Sequence, residues 1–151
     1  MNRIYAIILA GGRGLRLGGN TPKQFLPLGS KPIIAWSLEL CQRLPEIDHI
    51  VTVIPDEFAA LIDAMVNDHG ITKHISAVPG GSTRQESAFH AIRSVNYADD
   101  DMLIFHDAAR PFVSQEIMLR CIAAIRDYGA AAAYVPIHDT IAEIDHDVVV
   151  S

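Results

Sequence analysis

Cysteine is nearly absent from this chain: Cys41 and Cys121 are the only two in 151 residues. Both stand in segments of helical pattern and lack metal-ligand spacing, which leaves buried, reduced thiols as their reading. No apolar stretch approaches the length needed to cross a bilayer. The residues before the first apolar run lack the layout of a secretory signal. A soluble, cytoplasmic protein with no membrane partner is therefore expected. Half of the chain is apolar and a fifth is charged, which is globular composition. Its length suits one domain able to bury a core without disulfides or structural metal.

Acidic residues are missing from the opening segment. None precedes Glu39, whereas Arg3, Arg13, Arg16, Lys23 and Lys31 all do; the 18 Asp and Glu residues follow later. The net charge of −6 argues against a nucleic-acid partner, since a phosphate backbone demands a basic surface. An acid-free basic segment on an acidic protein suits a compact anion instead. The seven histidines show no ligand spacing, and His106 reads as packed or hydrogen-bonded.

What is present alternates between apolar runs and helix-period segments. Ile4–Ala10 is a continuous apolar run ended by Gly-Gly, as expected of a strand covered on both faces. Pro32 opens a helix over Ile33–Leu44, stopped by Pro45. His49–Val53 reads as the second strand, followed by a helix from about Asp56, as N-cap, to Gly70 at C′. Ile75–Val78 is a third strand, and Ser82 with Gln85 has capping-box spacing ahead of a helix to about Val95. Met102–Phe105 is a fourth strand. Ser114 begins a helix whose Ile117, Met118, Cys121, Ile122, Ile125 and Tyr128 share a face, with Gly129 ending it. Ala130–Val135 reads as a fifth strand, and Ile141–Ile144 with Val148–Val150 as a small hairpin. Strands alternating with helices predict an α/β fold, a Rossmann-like three-layer sandwich around a mostly parallel sheet. Ligands of such sheets bind at the carboxyl ends of the strands.

At the first such end stands Ala10-Gly-Gly-Arg-Gly-Leu-Arg-Leu-Gly-Gly19. Glycines let backbone N–H groups approach phosphate oxygens closely. Arg13, Arg16 and Lys23 can neutralise a triphosphate, arginine through paired hydrogen bonds and lysine as a point charge. A Walker loop requires a terminal Gly-Lys-Ser/Thr, which is missing. The dinucleotide fingerprint requires glycine where Leu17 stands. Taken alone, the loop says only that phosphate binds.

Leu9-Ala-Gly-Gly-Arg-Gly-Leu-Arg-Leu-Gly18 followed by Pro22-Lys-Gln-Phe-Leu-Pro-Leu28 resembles the signature of sugar-phosphate nucleotidyltransferases, in its cytidylyltransferase branch. Gly80-Gly-Ser-Thr-Arg-Gln-Glu-Ser87, His106-Asp-Ala-Ala-Arg-Pro-Phe112 and Val135-Pro-Ile-His-Asp-Thr140 continue the likeness in family order, so that it spans the chain. The wording resembles the methylerythritol-phosphate cytidylyltransferases, with ribitol-5-phosphate cytidylyltransferases as the alternative. Those families join CTP to a small polyol phosphate and release pyrophosphate. A non-catalytic nucleotide-binding protein derived from the family is the alternative of another class. By this resemblance Arg16 and Lys23 hold the triphosphate and stabilise the transition state, where charge gathers on the α-phosphorus oxygens. It assigns Ala10, Gly11, Gly12, Arg13 and Gly14 to the nucleotide's phosphates, and Gly80, Gly81, Ser82 and Ser87 to cytosine, although Ser82 stands where many relatives carry Asp. Asp107 becomes the Mg²⁺ ligand. Arg110, Asp139 and Thr140 become acceptor contacts, the last two at a neighbouring subunit's site. The resemblance also implies a homodimer built through a β-arm beginning near residue 138. It implies that the remainder of the arm, an acceptor-binding arginine and a triphosphate-binding lysine follow Ser151.

Overall fold

The computed structural model describes residues 2–12 and 21–136, together with the strand backbone at 144–145 and 148–149. The chain divides into two compact units, Met1–Met118 and Leu119–Ser151.

In the first unit, strand β1 (Ile4–Leu9) is buried along its whole length. It can be, because it is flanked on both edges. β4 (His49–Ile54) and β6 (Met102–Asp107) pair with it in parallel, and β5 (His74–Pro79) pairs in parallel with β4. The strand order is β5-β4-β1-β6. A central parallel strand must be apolar on both faces, which is why Ile4–Leu9 shows no alternation. Each fully buried Ile or Leu side chain contributes roughly 1.5–3 kcal/mol.

The register divides these strands into two faces. Ile7, Leu9, Val51 and Val53 form one core cluster with Ala91 of helix α3 (Arg84–Ser94). On the opposite face His106, aligned with Ile8, reaches Ser37 of helix α1 (Ile33–Arg43), with Nε2 and Oγ 3.1 Å apart. His69, at the C-terminal end of helix α2 (Ala59–Asp68), bonds Glu39 of α1 at 2.9 Å. Helices on both faces of a parallel sheet make the expected three-layer α/β sandwich. Burial raises the Cys41 thiol to about 12, against the opposing charge of Lys73, so that it is inert.

Several local expectations are corrected. Asp56 caps nothing with its side chain; it opens a 3₁₀ turn, Asp56–Phe58, ahead of α2. The cap of α3 is Thr83, whose Oγ1 accepts from the Glu86 N–H at 3.0 Å, one residue later than Ser82/Gln85. Both registers satisfy the pattern, and the Glu86 carboxylate takes its bonds from Ser82, the residue before the cap. A short hairpin not foreseen from sequence, β2 (Pro27–Leu28) with β3 (Lys31–Pro32), precedes α1; Gly29 turns it at φ 68°.

Helix α4 (Gln115–Tyr128) is capped by Ser114, whose Oγ accepts from the Ile117 N–H at 3.2 Å. Gly129 ends it at φ 78°. Met118 and Ile122 of its apolar face are buried, whereas Ile117 and Tyr128 are exposed. Residues 130–136 are exposed and form no strand, contrary to expectation. An apolar run becomes a strand only when a neighbour takes its N–H and C=O groups, and no described strand does so here. Within the second unit β7 (Ile144–Asp145) and β8 (Val148–Val149) pair antiparallel, a shorter hairpin than expected. The remainder of the expected arm, from residue 138, lies outside the described residues.

Candidate active site

β1 leads to β4 and then β5 on one side, while β6 lies on the other. The chain thus reverses direction across the sheet at β1, and the crevice beyond the strand ends is the place where such folds bind ligands. Three loops meet there because their strands end in register. The Ala10 N–H donates to Val53 O at 2.7 Å, Gly80 N–H to Ile54 O at 2.8 Å, and Ala108 N–H to Leu9 O at 3.0 Å. They wall a cavity of about 1070 Å³, at the upper end of the usual range for small-molecule sites.

The loops after β1 and β5 touch, and glycine is what permits it. A Cβ on Gly11 would lie 3.1 Å from Gly80 Cα, and one on Gly80 would lie 2.9 Å from Gly11 Cα. A Cβ on Gly12 would meet nothing within 4 Å, so its backbone is open to the cavity. Among the described residues the N–H groups of Gly11 and Gly12 have no acceptor. Unpaired amide donors beside a cavity suit an anion.

Lys23 lines the same cavity from a 3₁₀ turn, Lys23–Phe25, and forms no ion pair among the described residues. The turn is fixed by Phe25 N–H to Pro22 O at 2.9 Å and by the Phe25 ring stacked on Phe58, with centroids 4.8 Å apart.

The Gly80–Ser82 loop spends its donors inward. Gly81 N–H donates to Ser87 Oγ at 3.0 Å; Ser82 donates its N–H at 2.7 Å and its hydroxyl at 2.6 Å to Glu86 Oε2. Ser82's hydroxyl bond, then its N–H bond, hold the Glu86 carboxyl below its ordinary range. No described donor reaches the carbonyls of Gly80, Gly81 or Ser82, so the loop offers acceptors to a ligand. Ser87 is buried, as its bond to Gly81 requires.

Asp107 ends β6 in the cavity wall. Its Oδ1 accepts from Arg84 Nε at 3.0 Å, and Arg110 Nε stands 3.4 Å from Oδ2. These are exposed pairs, with Arg84 and Arg110 side chains 63% and 77% accessible, and such pairs hold weakly enough for a ligand to displace them. No cluster of three metal-ligating side chains occurs among the described residues. One hard carboxylate on the wall of this cavity fits Mg²⁺, which takes one or two carboxylates and completes its shell with phosphate oxygens and water. His106 packs against Ser37, and burial, opposed by the charge of Asp107 and reinforced by that of Arg110, lowers its pKa.

Of the residues expected from sequence, Ala10, Gly11, Gly12, Lys23, Gly80, Gly81, Ser82, Ser87, Asp107 and Arg110 all border this one cavity. Arg13, Gly14 and Arg16, with Asp139 and Thr140, lie outside the described residues. Sequence reasoning gave no role to Gln24, Arg84 or Glu86, although each stands inside a motif it quoted.

A family model for 2-C-methyl-D-erythritol 4-phosphate cytidylyltransferase matches residues 4–151. The chain belongs to this family. It is similar to that cytidylyltransferase from Geobacter metallireducens, 36% identical over 149 residues, covering 97% of this chain and 64% of the relative. The D-ribitol-5-phosphate cytidylyltransferase of Xenopus tropicalis is 34% identical over 149 residues, covering 93% of this chain and 36% of that one. Among solved structures, 4-diphosphocytidyl-2C-methyl-D-erythritol synthase from Anaerococcus prevotii superposes with a TM-score of 0.80 at 29% identity, covering 98% of this chain and 63% of that one. The chain thus spans 59–64% of the length of the first methylerythritol-phosphate cytidylyltransferases it matches.

Proposed function

We propose that the protein transfers the cytidylyl group of CTP to 2-C-methyl-D-erythritol 4-phosphate, giving CDP-methylerythritol and pyrophosphate for isoprenoid synthesis. The observation that carries this is the meeting in one crevice, in a chain of this family, of amide donors without an acceptor among the described residues, a lysine, a carboxylate and a loop of carbonyl acceptors. Gly11, Gly12 and Lys23 receive the triphosphate. As the acceptor phosphate attacks the α-phosphorus, the Lys23 ammonium stabilises the charge gathering on its oxygens, with Arg16 as its partner. The attacking phosphate is already anionic, so no side chain has to remove a proton. Pyrophosphate leaves in the same step.

Asp107 would hold Mg²⁺, which supplies charge neutralisation on the phosphate oxygens when bound. The carbonyls of the Gly80–Ser82 loop favour a base edge that donates, as the cytosine amino group does and the uracil carbonyl does not. Arg110 faces the acceptor phosphate, with Asp139 and Thr140 completing that side from a second subunit. The hairpin β7–β8 is consistent with an arm of a homodimer. No helix among the described residues is long and apolar enough to cross a membrane, and a cytoplasmic site of action is part of this reading.

The test is pyrophosphate release by the full-length protein. Turnover with CTP and methylerythritol phosphate, and little with UTP, is expected. Turnover confined to ribitol 5-phosphate would transfer the assignment to the sister activity, and release with neither acceptor would overturn it.

A further inference from the structure

Gln24 is the most deeply buried polar side chain bordering the crevice, 2% exposed. It sits beside Lys23 on the 3₁₀ turn. Its Nε2 donates both of its hydrogens to the loop after β1, one to Ala10 O and one to Gly12 O at 3.0 Å. A primary amide has two N–H donors, and here they take the carbonyls on either side of Gly11. Because a peptide is planar and trans, a carbonyl pointing one way sends the next N–H the opposite way. Drawing Ala10 O toward Gln24 therefore turns the Gly11 N–H away from it, and this is one of the amides without an acceptor among the described residues. The turn that carries Gln24 is itself anchored, by its Pro22 and Lys23 carbonyl bonds and by the Phe25–Phe58 stack.

We propose that Gln24 is a positioning residue: it aims the Gly11 amide and ties the loop after β1 to the turn that carries Lys23, so that both grip one phosphate chain. The inference rests on the reading of this crevice as a triphosphate site. No other side chain of this size does the same work. Glutamate would set oxygens against two carbonyl oxygens, and leucine would fill the space with no donor, stranding one buried and one partly buried acceptor.

The test compares Gln24→Leu and Gln24→Glu with the parent in the full-length protein, following CTP binding by calorimetry and steady-state turnover. Gln24→Leu should weaken CTP binding roughly 10- to 100-fold, the scale of two lost hydrogen bonds, equally at every pH. Gln24→Glu should be worse at neutral pH and recover as the pH falls, because a protonated carboxyl regains one donor and burial raises the pH at which it protonates. Variants that melt like the parent and bind CTP as tightly would overturn the proposal, as would equal, pH-independent loss in both.

A measurement without substitution covers variants that fail to fold. In the ¹⁵N-labelled parent, the Gln24 side-chain NH₂ should be protected from exchange and shift when CTP is added. Exchange as fast as that of exposed glutamines would sink the idea. A parent that binds no CTP while Gln24 remains protected would instead refute the triphosphate reading alone.

Discussion

Replacing Gly80 by alanine would place a methyl carbon 2.9 Å from Gly11 Cα, and 3.5 Å from both Gly11 O and Ser87 Oγ. Carbon atoms rest about 3.5–4.0 Å apart, so the two loops would have to separate by roughly 0.6–1 Å. The nearest atom is backbone, and no flexible side chain can yield in its place. Overpacking of this kind costs about 1–3 kcal/mol. If the protein absorbs it as instability, melting falls by about 2–4 °C per kcal/mol for a domain of this size. If the Gly80–Ser82 loop moves away instead, CTP binding weakens by about 5- to 150-fold.

Gly12→Ala is the matched control. Nothing lies within 4 Å of its added carbon, so melting should stay within about 1 °C while CTP binding suffers from the methyl in the cavity. Thermal melts with and without CTP, beside calorimetric titration, read both effects. Unchanged melting and unchanged CTP affinity in Gly80→Ala would refute the claim that these loops meet through glycine. Equal destabilisation in Gly12→Ala would refute the claim that its backbone is open.

Lys23→Ala should lower kcat by about 10²–10³ with the fold intact, read by turnover beside circular dichroism; parental turnover would remove the lysine from the phosphates. Asp107→Asn should raise the Mg²⁺ concentration needed for half-maximal turnover by roughly tenfold or more, and an unchanged metal requirement would place the ion elsewhere. Thr83→Ala removes the cap of α3 and should cost about 1 kcal/mol, measured by denaturant titration; no loss would argue against that cap. Glu86 has a lowered carboxyl pKa because it receives the Ser82 bonds. Its contribution is therefore complete above the ordinary glutamate range and is lost as pH falls through the lowered value. The protection of the Ser82 N–H, taken as its exchange rate relative to that of an unstructured peptide at the same pH, should hold near neutrality and fall only in acid; loss of protection already near neutral pH would contradict this.

The layout of the sheet was legible because β1 and β4 are buried apolar runs and β6 begins as an apolar one, each closed by loop residues, and the crevice followed from where those runs end. Single-residue registers were not legible. Ser82-Thr-Arg-Gln85 and Thr83-Arg-Gln-Glu86 read equally well as caps, and only the Glu86 N–H donated to Thr83 Oγ1 decides between them. Residues 130–136 carry a strand's composition, but composition does not supply a partner for their backbone. Gln24 and Arg84 escaped notice because their roles depend on distance in space. Gln24 bonds carbonyls 12 and 14 residues away, and Arg84 meets a carboxylate 23 residues on. The motif around each could be read, whereas its contact could not.

The most direct measurement is a crystal structure of the full-length protein with CTP and Mg²⁺. The phosphate chain should lie on the Gly11 and Gly12 amides within reach of the Lys23 ammonium, with the cytosine amino group on the Gly80–Ser82 carbonyls. A nucleotide bound elsewhere, or one whose base points away from that loop, would contradict the account.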